Sequence, residues 1–319
     1  MDIDSRKFSH PHLTANGEPR ACIALTAIKT LWFNTGTQCN LSCQNCYIES
    51  SPSNNRLSYI SLTQVQQFLN EIQVEGHPTE EIGLTGGEPF MNPDVMVIMA
   101  EILRRGFKLL VLSNAMRPML KHQQALLRLH QHYPGRLQIR VSMDHHRADL
   151  HEQERGAKSW EPMLEGLKWL NSNGFTIAIA GRTRWGDANL REGYAELFAR
   201  LGLSIDAHNP QQLVLFPEMD QNSSVPEITS ACWGKLGLDP EQIMCASSRM
   251  VVVHRGDNQP SVQACTLLAY DQRFNLGATL AEADTEVPLN HPHCARFCVL
   301  GGGSCAPVTE TGQADPPTS

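Results

Sequence analysis

No apolar run in this 319-residue chain approaches the roughly 20 residues that a helix needs to cross a bilayer, so a helical membrane anchor is not expected. Residues 1–14 carry charges and prolines where a secretory signal would carry an apolar core, and the expected compartment is the cytoplasm. Positive charge is also short. The formal net charge of -7 argues against a surface built to neutralise phosphates and disfavours bulk nucleic-acid binding. Cysteine is missing from the whole stretch between Cys46 and Cys232, although the chain holds ten. Two separate groups of ligands are implied, and in a reducing compartment they point to metal or redox chemistry, not disulfides.

What is present begins with Cys39-Asn40-Leu41-Ser42-Cys43-Gln44-Asn45-Cys46-Tyr47, with spacing C-x3-C-x2-C. Three thiolates on one short loop hold three corners of an iron-sulfur cube and leave the fourth iron open. Structural zinc is the plainer reading of close cysteines, but zinc wants four ligands. No histidine lies between His12 and His77, and Glu49 is the only acidic side chain near the loop. Ligand count favours the open iron-sulfur site.

With 41% hydrophobic residues, the chain can bury one large α/β domain plus an appendage. Residues 1–26 read as an irregular lead-in, too few for a recognition domain such as an attached leader-peptide-binding module. A strand over residues 29–34 ends just before the cysteine loop. Ser61 and Gln64 form a capping box ahead of an apolar stripe at Leu62, Val65, Phe68, Leu69 and Ile72. Ile82 and Leu84 mark a strand running into Gly86-Gly87-Glu88-Pro89, and Asn92-Pro93-Asp94 opens the next helix, which Gly106 closes. A strand over 107–112 ends at Ser113-Asn114, and a helix is expected over 118–132. Residues 137–143 alternate, placing Arg140, Ser142 and Asp144 on one face. Ser159 is expected to cap a further helix, followed by a strand over 176–181 ending at Arg182. A helix over 190–201 and a strand over 212–216 complete six strands alternating with five helices. The expected fold is an α/β partial (βα)6 TIM-like barrel over 27–220, with functional loops at the C-terminal strand ends, and a cysteine-rich extension over 221–319.

The cysteine triplet with Tyr47, followed one strand later by Gly86-Gly87-Glu88-Pro89, resembles the radical S-adenosylmethionine superfamily over roughly residues 30–220. The resemblance implies that Cys39, Cys43 and Cys46 hold a 4Fe-4S cluster whose open iron binds S-adenosylmethionine, and that an electron from the cluster releases a 5'-deoxyadenosyl radical that abstracts hydrogen. It also implies cofactor contacts from Asn45, Tyr47, Gly86, Gly87, Glu88, Pro89, Ser113, Asn114, Ser142 and Arg155. Glu88 would receive the methionine ammonium, and Arg155 its carboxylate. An ordinary turn at Ser113-Asn114 and a solvated loop charge at Arg155 or Arg182 are the plainer alternatives.

The late cysteines run Cys245-x19-Cys265-x28-Cys294-x3-Cys298, with Cys305 beyond. This resembles the Twitch extension, shorter than SPASM, and implies one auxiliary 4Fe-4S cluster on four of the five, either taking electrons from substrate or ligating it. A zinc site aided by His291 or His293 is the alternative. Cys22 and Cys232 read as core residues. Glu218, and Asp144 with His145 and His146, are candidate acid-base groups, with ordinary surface carboxylates as the commoner explanation. The expected substrate is a peptide, alternatively a small metabolite, with a flavodoxin or ferredoxin as electron donor. A non-catalytic iron-sulfur or zinc protein is the remaining alternative.

Overall fold

The computed structural model describes residues 6–218 and 224–304. In chain order its elements are β1 (Cys22–Ile23), β2 (Thr30–Asn34), α1 (Leu62–Glu75), β3 (Glu81–Thr85), α2 (Val95–Arg104), β4 (Lys108–Ser113), α3 (Arg117–Leu120), α4 (Gln123–His132) and β5 (Leu137–Ser142). They continue with α5 (Ala148–Arg155), α6 (Trp160–Ser172), β6 (Thr176–Arg182), α7 (Leu190–Leu201), β7 (Leu213–Phe216), α8 (Cys232–Leu236), β8 (Ser248–Val252), β9 (Ser261–Gln263) and β10 (Val287–Pro288). A π-helix over Cys294–Leu300 follows.

Strands β2 to β7 form a parallel sheet in sequential order, with the connecting helices on one face. This is the open, partial-barrel α/β fold expected from strand-helix alternation. The apolar face of α1, with Val65, Phe68, Leu69 and Ile72, packs with Leu31, Phe33, Ile82 and Leu84 into the larger core. Trp32, Leu110, Met250 and Val252 face the other way and pack with residues of the C-terminal extension. The sheet does not end with the alternating region. β8 adds to β2 in parallel and β9 follows antiparallel, giving the order β7-β6-β5-β4-β3-β2-β8-β9.

The extension and the lead-in are tied together. β1 pairs with β10, and the buried Arg20 reaches Glu227 Oε1 at 2.5 Å. Glu227 also accepts from the backbone N–H groups of Phe8 and Ala15.

Local signals fared unevenly. The capping box at Ser61 forms, with Gln64 returning a bond from its side chain to the Ser61 N–H at 2.9 Å. The single helix expected over 118–132 is broken into α3 and α4. Ser159 does not cap α6: its hydroxyl is buried without a partner, and Glu152 Oε1 takes the Trp160 N–H at 3.2 Å instead. Helix α5 was not expected, because its buried side chains are His151 and Glu154, which hydropathy reads as polar.

At the end of β4, Ala115 adopts a left-handed φ of 58° and turns its carbonyl toward α6. The helix approaches there only because residue 166 is glycine; a Cβ would overlap the Ala115 carbonyl oxygen. Gly→Ala within a helix ordinarily stabilises by about 1 kcal/mol. Here the sign should reverse, with Gly166→Ala costing about 1–3 kcal/mol through overpacking, read as a lower urea midpoint. A raised midpoint would show that α6 does not press on that turn.

Candidate active site

The C-terminal strand ends open onto one cavity of about 1040 Å³ counting its mouth. Cys39, Cys43 and Cys46 line it from the loop after β2, opposite Ser142, Arg155 and Arg182. The loop is built to hold its sulfurs in place. Backbone N–H groups of Leu41 and Ser50 donate to the sulfurs of Cys39 and Cys46 at 3.4 and 3.3 Å. Asn114 Nδ2 lies 3.9 Å from the Cys39 sulfur, and Arg155 Nη1 lies 4.0 Å from that of Cys43. Burial, with the nearby Glu88 charge, pushes the Cys39 thiol up to about 12. Burial also raises Cys43, against the pull of Arg155. Buried thiols of this kind stay protonated at neutral pH unless a bound cation compensates the thiolate.

Gly86 and Gly87 line the same cavity, but their lack of a side chain serves the protein as much as any ligand. A Cβ at Gly86 would stand 2.5 Å from the Gly36 carbonyl oxygen, and one at Gly87 would overlap that of Gln38. Both glycines let the strand end close against the base of the cysteine loop. Glu88 is turned inward and does not line the cavity. Its oxygens accept from Ser113 Oγ at 3.0 Å, Asn114 N at 2.8 Å and Phe90 N at 3.2 Å, joining the ends of β3 and β4. Burial outweighs these donors and raises its carboxyl to about 7. Pro89 lies behind it, at the start of a short 3-10 turn.

On the far wall, Asp144 pairs with Arg155, Nε to Oδ2 at 2.6 Å and Nη2 to Oδ1 at 3.3 Å, and with Arg182 at 3.2 Å. Arg155 is thus no solvated loop charge: it is the last residue of α5 and faces the cavity. Burial alone would raise the Asp144 carboxyl, but Arg155 and Arg182 outweigh it and hold it below the usual range. A carboxylate engaged on both oxygens and kept ionised is poorly suited to carry protons, so its geometry speaks for holding the arginines in place. His145 points away, with Nε2 2.6 Å from Asp187 Oδ2 and Nδ1 accepting from Arg147 N. Burial and His145 hold His146 down to about 4. Glu218 stands two residues past the cavity-lining Phe216, with Oε1 4.0 Å from Arg182 Nη1.

Glu154 is the functional residue that sequence reasoning missed. Almost fully buried, it accepts from the Asn45 N–H at 2.9 Å and from Asn45 Nδ2 at 2.8 Å. Its oxygens also meet Arg182 at 3.3 Å and Arg184 at 3.1 Å, while its carbonyl takes the Gln44 N–H at 2.8 Å. Asn45 is accordingly committed to Glu154 and does not line the cavity, whereas Tyr47 does.

A second, apolar cavity of about 300 Å³ lies in the extension. Cys245, Cys265, Cys294 and Cys298 all line it. Burial, then the Cys265 charge, pushes Cys245 up to about 12, and burial with the Cys265 and Cys245 charges raises Cys294. Among the described residues, no three His, Cys, Asp or Glu side chains converge as a single metal ion requires. His291 and His293 do not line the cavity, nor do Cys22 and Cys232, and Cys305 lies outside the described residues.

Residues 33–185 match the Radical SAM superfamily. The stretch is similar to a Radical SAM domain. The match contains the three cysteines and the strand ends that carry the first cavity, and the family's reaction uses S-adenosylmethionine with a 4Fe-4S cluster. Over 149 residues the chain is 30% identical to the antilisterial bacteriocin subtilosin biosynthesis protein AlbA of Bacillus subtilis (strain 168). That stretch is 46% of this chain and only 32% of AlbA, so the chain matches about a third of that relative's length. In fold, it is similar to Streptococcus suis SuiB bound to S-adenosylmethionine, with a TM-score of 0.58 at 10% identity over 79% of this chain and 64% of SuiB. It is also similar to anSMEcpe with bound AdoMet, with a TM-score of 0.57 at 14% identity over 80% and 79%. No described helix is long and apolar enough to cross a membrane.

The matched stretch therefore holds its cysteine loop through Glu154. Glu154→Ala would remove the acceptor of the Asn45 N–H and Nδ2 and one partner each of Arg182 and Arg184, costing about 1–3 kcal/mol in urea denaturation. A chain as stable as the parent would show that the loop is held by other contacts.

Proposed function

We propose that this chain is a peptide-modifying Radical SAM enzyme with one auxiliary cluster. Cys39, Cys43 and Cys46 would hold the first 4Fe-4S cluster. Gly86, Gly87, Ser113, Asn114, Tyr47, Ser142 and Arg155 would receive S-adenosylmethionine, with Asn45, Glu88 and Pro89 supporting them from behind. When bound, the cluster and S-adenosylmethionine would supply radical hydrogen abstraction. Arg155 offers a fixed cation toward a carboxylate in the cavity, and its Asp144 partner keeps the fork oriented. Cys245, Cys265, Cys294 and Cys298 would hold the auxiliary 4Fe-4S cluster. Of the acid-base candidates, Glu218 is the more loosely held, with arginines at 4.0 and 3.7 Å against 2.6 and 3.2 Å for Asp144. An external donor of the flavodoxin or ferredoxin kind would supply electrons.

The observation that carries the reading is the wall between the two cavities. Leu267 and Phe297 line the first, while Cys265, Cys294 and Cys298, next to them in the chain, line the second. Phe297 stacks on Phe216, ring centroids 5.6 Å apart, at the mouth of the first cavity. A substrate radical there would lie one side chain away from the auxiliary site. The peptide class is supported by AlbA, named for biosynthesis of the bacteriocin subtilosin, and by the fold likeness to SuiB bound to precursor peptide SuiA and to anSMEcpe with the Cp18Cys peptide.

Anaerobically reconstituted protein should release 5'-deoxyadenosine from S-adenosylmethionine under dithionite. Cys43→Ala should abolish that release, and Cys265→Ala should spare at least part of it. Equal loss in both variants would contradict the division between the two sites. A peptide encoded beside the gene should change mass during turnover; nucleoside released with every such peptide intact would point to a small metabolite.

A further inference from the structure

The extension buries one cation whose role neither cavity has yet explained. Arg249, on β8, is fully buried. Its guanidinium donates only to backbone carbonyls: Nε to Ala283 at 3.0 Å, Nη1 to Cys245 at 2.6 Å and Ser248 at 2.9 Å, and Nη2 to Thr285 at 3.0 Å. Carbonyl oxygens satisfy N–H groups but carry no formal counter-charge. The buried Arg20 and the half-buried Arg155 are treated differently, each meeting a carboxylate, at 2.5 and 2.6 Å. Among the described residues, no carboxylate forms an ion pair with Arg249, and the negative groups whose fields reach it are Cys245, Asp284 and Cys265.

A cation removed from water without an opposing charge is strongly unfavourable, and a fold retains one where an anion shares its surroundings. Such an anion would be supplied by a four-iron cube in the neighbouring cavity. With four thiolates, the oxidised cube carries two negative charges and gains a third on one-electron reduction. Apart from its cysteines, the side chains of that cavity are apolar, for example Ile243, Leu268 and Phe274, so nothing inside it screens the field. We propose that Arg249 is the counter-charge of the auxiliary cluster and makes it easier to reduce. The inference rests on the proposed auxiliary cluster. Arg249 acts as a positioning residue in a second sense, because its Nη1 grips the carbonyl of Cys245 itself. Its fixed cation favours the more negative, reduced state of the cube over the oxidised one.

The test uses the full chain with Cys39, Cys43 and Cys46 replaced by Ala, so that only the auxiliary site is loaded. Iron and sulfide are counted after anaerobic reconstitution, and the midpoint potential is read by electron paramagnetic resonance during titration with dithionite, which supplies the single electron. Arg249→Gln removes the charge and keeps a donor; Arg249→Lys keeps the charge and loses the fork. The expected result is a cluster at least tenfold harder to reduce in Arg249→Gln, 59 mV for a one-electron couple, with Arg249→Lys within threefold of the parent. An unchanged midpoint in Arg249→Gln at full iron content would overturn the proposal. Loss of the cluster from both variants alike would overturn it too, by showing Arg249 to be structural only. No iron in the parent would sink the auxiliary-cluster reading itself, and this proposal with it.

Discussion

The grip of one buried carboxylate on the cysteine loop is the interaction on which the candidate site depends. Glu154 joins the loop after β2 through Asn45, the end of β6 through Arg182 and the following turn through Arg184, and Arg182 adds a direct bond to the Asn45 carbonyl at 3.1 Å. A loop spaced for three sulfurs has few apolar side chains with which to anchor itself. Its position must come from polar contacts at both ends. Glu88 supplies the complementary constraint at the base of the cavity, stapling Ser113 and Asn114 to the turn after β3. Burial makes both contacts strong and makes replacing either group expensive, since a donor left behind would find no water.

Much of the fold was legible because the parallel strands are near-continuous apolar runs bounded by turn residues. The face of β5 that carries Arg140 and Ser142 could be read from alternation alone, and the cavity lining includes both. What could not be read was whatever used polar burial or non-local pairing. Helix α5 lacks an apolar stripe, so Glu154 and Arg155 looked like loop charges. β8 is a short strand within the cysteine-rich region, and only its partner β2, more than two hundred residues earlier, makes it part of the sheet. Glu88 shows a different limit. Its place in a familiar motif suggested ligand contact, yet its oxygens are already occupied by the protein's own donors. A sequence motif marks where a residue lies more securely than which way it faces.

β8 also explains why the extension sits where it does. By adding to β2, it carries the cysteine-bearing segments on either side of it to the open edge beside the first cavity. Cys245 lies just before β8 and Cys265 just after β9, so two of the candidate ligands are fixed by sheet pairing. Cys294 and Cys298 come instead from one short helix, one turn apart. Two of the four cysteines lining the second cavity are thus anchored beside the sheet and two on the helix.

The two cavities differ in how they treat charge, and the difference bears on their chemistry. The first is bordered by an ion-pair network, with Asp144, Glu154 and Glu218 set against Arg155, Arg182 and Arg184. A ligand with both ammonium and carboxylate groups suits such a wall, because it offers a partner to each sign of charge. The second cavity is apolar except for its sulfurs, with a lone guanidinium beyond its wall. There, an occupant's charge is felt almost unscreened, and a change of one electron alters its energy far more than in the first. Phe297 and Leu267 line the polar cavity, and the neighbouring Cys298 and Cys265 line the apolar one, so two environments of opposite character lie side by side.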